Sequence, residues 1–143
     1  SKEGLANAVY RRCQERFQEF MTPALDHPEV GPRKQFAGVW LTITSTYTTY
    51  PDDFIFSELH FHGEFLDEHS RAVRRELTAR LMRWTKQLQT QGIVKDLPVE
   101  ILHAVVIGGL CRLVRDSQDG GPRITAKLLK QMEEFCWQAV SRL

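Results

Sequence analysis

The sequence predicts an all-α fold of six main helices, and three observations predict it. Apolar residues recur at three- and four-residue spacing along nearly the whole chain of 143 residues. Proline and glycine interrupt that pattern at Pro23, Gly31-Pro32, Pro51, Gly63, Gly92, Pro98 and Gly120-Gly121-Pro122, so the stretches between them have helical length. The last two stretches are apolar on two faces where an ordinary surface helix has one apolar face.

The first helix runs from an N-cap at Ser1 toward Pro23, with Leu5, Val9, Cys13, Phe17 and Phe20 as its expected inner stripe. The second runs from about Pro32 to Tyr50 on Phe36, Trp40, Ile43, Tyr47 and Tyr50. Its centre, Thr42-Ile43-Thr44-Ser45-Thr46-Tyr47-Thr48-Thr49, is rich in β-branched residues and would suit a strand on intrinsic preference. The longer periodicity decides for helix. A short third helix from Asp52 to about His62 places two aspartates at its positive end. The fourth, from about Asp67 to Gln91, is the longest; Val73, Leu77, Leu81, Trp84 and Leu88 form its stripe and Gly92 stops it.

The fifth helix follows Asp96-Leu97-Pro98 and continues to about Ser117; the sixth runs from about Thr125 to the end. Apolar residues surround almost the whole fifth helix, and the sixth carries two adjoining stripes. A terminal helix of a small domain normally meets water on one side, so a spare apolar face points to a second molecule. The expectation is a homodimer in which these two helices of each copy build a four-helix bundle. Leu102, Val106, Gly109 and Leu110 supply the face of the fifth helix, and Leu128, Met132, Phe135, Cys136 and Ala139 that of the sixth. The alternative is that both helices are central within one subunit.

Composition bounds the rest. With 42% hydrophobic and 26% charged residues, the chain reads as one domain spanning 1–143 around a single core. A net charge of +1 carries no polyelectrolyte excess for holding DNA or anionic lipid. Cys13, Cys111 and Cys136 are far apart, without the spacing of a zinc or redox motif. The longest apolar run, Ala104 to Cys111, falls far short of the ~20 residues a membrane span needs. No signal-peptide pattern opens the chain, so a soluble, cytoplasmic protein without membrane contact is expected. The chain begins at Ser1 without an initiator Met, from which an upstream segment is expected.

Enzyme chemistry finds no phosphate loop, nucleophile elbow or apolar carboxylate pair, so no catalytic residue and no cofactor is assigned. His60 and His62, with Glu58 and Glu64 nearby, invite a metal reading, but a His-x-His pair on a helix points to different sides, so no metal site is assigned. Arg71, Arg74, Arg75, Arg80 and Arg83 read as a water-facing stripe.

Ser1-Lys2-Glu3-Gly4-Leu5, followed by Ala8 and Val9, resembles the segment through which TetR-family regulators leave their helix-turn-helix and enter a long connecting helix. The six-helix order, the Gly92 to Leu102 segment and the two doubly apolar final helices resemble that family too. The resemblance implies a dimeric one-component transcriptional regulator. In its repressor form, operator DNA is held through a helix-turn-helix domain absent from this chain and released when a small amphipathic or aromatic effector binds. Residues 1–22 would be the connecting helix, and Lys2 a phosphate contact beside a helix N-terminus. Trp40, Thr44 and Tyr47 combine aromatic surface with hydroxyls, as small-molecule sites do. With Phe17, Phe56, His60, Trp84 and His103 they make the expected effector pocket, against a competing reading as ordinary aromatic core. The rival function is a helical small-molecule-binding or scaffold protein that never touches DNA.

Overall fold

The computed structural model describes residues 1–59 and 63–142. Helices α1 (Lys2–Leu25), α2 (Pro32–Thr49), α3 (Pro51–Phe54), α4 (Glu68–Thr90), α5 (Val99–His103), α6 (Gly109–Gln118) and α7 (Ala126–Val140) follow in order. A π turn, Ile55–Leu59, prolongs α3, and another, Ala104–Gly108, joins α5 to α6 in one rod with helical backbone at both junctions. Among the described residues the helices therefore number six, as expected, and no strand occurs there beyond an isolated bridge between Val94 and Ser141. The chain divides into two compact units, Ser1–Leu81 and Met82–Leu143, and the division falls within α4.

Local chemistry sets the ends. The Ser1 hydroxyl accepts from the Gly4 N–H at 3.0 Å and caps α1. Pro23 is tolerated in the last turn, and the helix ends two residues later at Leu25. The Asp67 carboxylate accepts from the Ser70 N–H at 2.8 Å at the start of α4. At its far end Gly92 takes φ +71°, the Ile93 N–H reaches Leu88 O and the Gly92 N–H reaches Gln89 O, both at 2.9 Å, which closes the helix with a left-handed cap. The β-branched stretch of α2 is helical because its hydroxyls have a helical use. Thr42, Thr44 and Thr46 each donate to the carbonyl four residues back at 2.9 Å.

In the first unit α1 packs on α2 and on the π turn after α3. Its core is Tyr10, Cys13, Met21, Phe36, Val39, Trp40, Ile43, Phe54, Leu66 and Leu77. The face α1 turns inward differs from the expected stripe: Leu5 is 68% exposed and Val9 and Phe20 are also exposed, while Asn7, Tyr10, Gln14 and Met21 are buried. Asn7 explains the change. Its Nδ2 donates to Glu3 O and Phe65 O at 2.9 Å, and its Oδ1 accepts from the Asp67 N–H at 2.8 Å. A satisfied amide can be buried where a lone one could not.

The second unit centres on Leu88, Val94, Val99, Leu102, Leu110, Val114, Cys136, Trp137 and Val140. The segment after α4 is laced to the end of α7: the Lys95 N–H donates to Val140 O and the Arg142 N–H to Ile93 O, both at 2.8 Å. The Lys95 ammonium bonds Ala139 O, placing a cation at the negative end of α7.

Candidate functional site

The first unit gathers its aromatic and ionisable groups where α1, α2 and α3 meet. Arg16 on α1 pairs with Asp53 on α3 at 2.7 Å, each side chain about a quarter exposed, and lies 4.3 Å over the Tyr50 ring. Tyr50 stacks on Phe20 at 6.1 Å. Tyr47 meets Phe54 edge to face at 5.4 Å, and Phe56 leans on Phe65 at 6.3 Å. Such pairs add specific geometry to plain burial.

Burial dominates the electrostatics. It pushes the Cys13 thiol up, with the Asp53 carboxylate adding and Ser57 and Arg16 opposing. It also raises the Tyr10 phenol, where Arg74 opposes and Glu58 adds. Glu58 is exposed as a residue, but its carboxyl is raised by desolvation, with Arg74 pulling the other way. Desolvation disfavours whichever form is charged, so all three lean toward neutrality. Asp67, at the surface, goes the other way: the Ser70 N–H first, and then Arg11, hold it below its ordinary value.

Against this frame the expected pocket residues take different places. Trp40 is 3% exposed, a core residue, and Thr44 beside it is buried with its hydroxyl donated to Trp40 O. Phe17, Tyr47 and Phe56 are half-buried in the same unit. His60 lies outside the described residues, as does His62 of the metal reading. Trp84 and His103 are half-buried and belong to the second unit, where the Thr85 hydroxyl meets His103 Nε2 at 2.9 Å. Burial lowers the His103 pKa, and Glu100 opposes it. Among the described residues no group of three or more His, Cys, Asp and Glu is placed to hold a metal, and no helix is long and apolar enough to cross a membrane.

Sequence reasoning missed Ser57. Its hydroxyl is buried against the Cys13 thiol, and hydrogen bonding between the two lowers the thiol pKa against the effect of burial. A small hydroxyl within Phe54-Ile55-Phe56-Ser57 was the available signal.

The expected interface residues separate by burial. Leu110 and Cys136 are 0% and Leu102 is 4% exposed, so a single chain covers them. Val106, Leu128, Met132 and Ala139 are half-buried, and Phe135 is 67% exposed. Ile101 and Val105, one turn apart and not on the expected face, are exposed too. Gly109 is used within the chain: a Cβ there would lie 2.5 Å from Met132 Cε, whereas at Gly108 it would meet nothing within 4 Å. Lys2 is exposed at the start of α1.

Solved structures share this helical fold. A TetR family transcription regulator from Marinobacter aquaeolei VT8 superposes with a TM-score of 0.78 at 21% identity, over 99% of this chain and 73% of that one. A TetR family protein from Vibrio parahaemolyticus superposes with a TM-score of 0.66 at 17% identity, over 99% of this chain and 72% of that one. The family model described as Tetracyclin repressor-like, C-terminal domain, matches residues 10–142. The chain belongs to that family, and with it to the domains of transcription regulators. No curated protein matches it.

Proposed function

We propose that the chain is the effector-binding and dimerisation domain, residues 1–143, of a cytoplasmic one-component repressor and has no enzymatic activity of its own. A small amphipathic or aromatic molecule binds the domain, α1 moves as the connecting helix over residues 1–22, and the operator is released. DNA is read by a helix-turn-helix segment of the longer protein, with Lys2 contacting a phosphate. The observation that carries the assembly half of this reading is the exposed apolar surface on the last helices of a chain in this family: Phe135 on α7, with Ile101 on α5 and Val105 in the π turn. Large exposed apolar side chains, where they join in one patch, mark interaction sites.

Sedimentation velocity tests it. The wild-type chain should run as a dimer at micromolar concentration and Phe135→Glu as a monomer with unchanged helical circular dichroism. A wild-type monomer ends the assembly reading. For the effector half, a ligand at a hundred times its dissociation constant should stabilise the chain by about 2.7 kcal/mol.

A further inference from the structure

The second unit carries unpaired charge of opposite sign at its two ends. Its rod of α5 and α6 runs antiparallel to α7, because Met132 Cε sits over Gly109 while the Lys95 N–H donates to Val140 O and the Arg142 N–H to Ile93 O at 2.8 Å. The start of α5 therefore lies beside the end of α7, and the start of α7 beside the end of α6. Exposed carboxylates, Asp96 and Glu100, stand at the first of these ends, and exposed cations, Arg123 and Lys127, at the second. None of these four side chains has an ion pair or hydrogen bond among the described residues, whereas Arg112 is held by Asp116 and Lys130 by Glu133. Arg115 adds to the basic end; Asp119 and Arg142 each stand at the end of opposite sign.

The two charged pairs share one layout. Glu100 is the second residue of α5 and Lys127 the second of α7, while Asp96 precedes α5 and Arg123 precedes α7 by three residues each. The exposed apolar positions follow the same register. Ile101, Val105 and Gly108 are third, seventh and tenth from the start of α5, and Leu128, Met132 and Phe135 hold those places in α7. At Gly108 a Cβ would meet nothing within 4 Å, so the chain leaves that place open, and Phe135 is the 67% exposed side chain at the matching one. Within one chain the charges lie at opposite ends of α7, roughly 20 Å apart at 1.5 Å per residue, too far for an ion pair.

A second copy related by a two-fold axis perpendicular to the helices reverses the ends. It lays each α7 parallel to the partner's α5 with their starts level, and symmetry makes every contact twice. We propose that the chain dimerises in this orientation: Lys127 pairs with the partner's Glu100 and Arg123 with the partner's Asp96, while Leu128, Met132 and Phe135 lie along the partner's Ile101, the partner's Val105 and the partner's Gly108. This rests on the dimer reading above and adds to it the orientation and the pairs. The axis then passes near Val105 on the rod and Met132 on α7. Apolar faces alone permit several registers, and opposite charges at the rim select this one.

Glu100→Lys and Lys127→Glu test it in the full chain, by sedimentation equilibrium with helical circular dichroism as the control for folding. Both positions are exposed, so each variant should keep wild-type helicity. Alone, each sets like charges against one another twice per dimer and should weaken self-association roughly five- to thirtyfold. Mixed in equal amounts, the two variants should regain wild-type affinity, because the heterodimer restores opposite charges at both places. Single variants that dimerise as tightly as wild type, or a mixture no tighter than either variant alone, would overturn the orientation and leave the dimer reading standing. A wild-type monomer ends both.

Discussion

Asn7→Ala should cost the fold far more than deleting one side-chain hydrogen bond usually does. Asn7 is 3% exposed and makes three bonds, to Glu3 O, to Phe65 O and from the Asp67 N–H, at 2.9, 2.9 and 2.8 Å. Water can replace the first, since Glu3 lies in the exposed opening turn of α1. The other two join α1 to the segment entering α4, nearly sixty residues away in sequence, and their partners are left unpaired when the amide goes. At about 1 kcal/mol for each bond, with a further fraction for the half-buried Phe65 carbonyl, the loss is about 2 to 3 kcal/mol. Gln18→Ala provides the scale, because Gln18 makes a single cross-helix bond, to Val73 O at 3.2 Å, and should cost about 1 kcal/mol. Urea denaturation of both variants measures this, with m-values unchanged from wild type. If Asn7→Ala costs no more than Gln18→Ala, the amide does not hold α1 in its register, and the account of which face α1 buries fails with it.

Three other perturbations test different links. Trp40→Ala should destabilise the chain by about 3 to 5 kcal/mol in the same assay, because Trp40 is core, whereas Tyr47→Ala at a half-buried position should cost less and be the better probe of effector response. Burial lowers the His103 pKa, so the unfolded chain binds the proton more readily; the stability this contributes is complete above the ordinary histidine value of about 6.5 and is lost as pH falls through the lower folded value. The thermal midpoint should therefore drop more between pH 7.5 and 5 for wild type than for His103→Gln, and equal drops would show that His103 is not the titrating group. Gly121→Ala would set a Cβ 2.5 Å from the backbone oxygen of Asp116 and should cost about 1 to 3 kcal/mol, while Gly108→Ala, with open space around it, should be neutral or stabilise by up to about 1 kcal/mol in chemical denaturation.

Helix number and ends were legible because they are written in local chemistry. Ser1, Pro32 and Gly92 act on their own turns, and each stands where the spacing predicts an end. The face a helix buries is not local. Leu5 and Val9 are as apolar as any core pair, yet they lie outside because Asn7 found partners in the Phe65 to Asp67 segment. Hydrophobic periodicity counts apolar groups and cannot foresee a satisfied amide. The π turns were equally invisible, since Phe54-Ile55-Phe56-Ser57 and Val105-Val106-Ile107 read as ordinary apolar helix. The division of the expected pocket residues between the two units was equally illegible. Trp84 and His103 share a spacing logic with Trp40 and Tyr47 but belong to a separate compact unit.

The apolar excess of the last helices carries the same lesson into assembly. Counting greasy residues on two faces shows that something must cover them, without showing what. In the folded chain Leu102, Leu110 and Cys136 are taken up by the chain itself, which accounts for much of the excess without a second copy. What remains is narrower: Phe135 at 67%, Ile101 at 49% and Val105 at 39% exposure, with Val106 and Met132 half-buried. Energy in an interface concentrates in a few large side chains set among weaker contacts. Phe135 is the largest apolar group among the exposed residues of the last two helices, so the assembly reading reduces to one side chain. A charge at Phe135 should undo the dimer while leaving the subunit folded, whereas a charge at Leu110 should unfold the subunit before it reaches any interface.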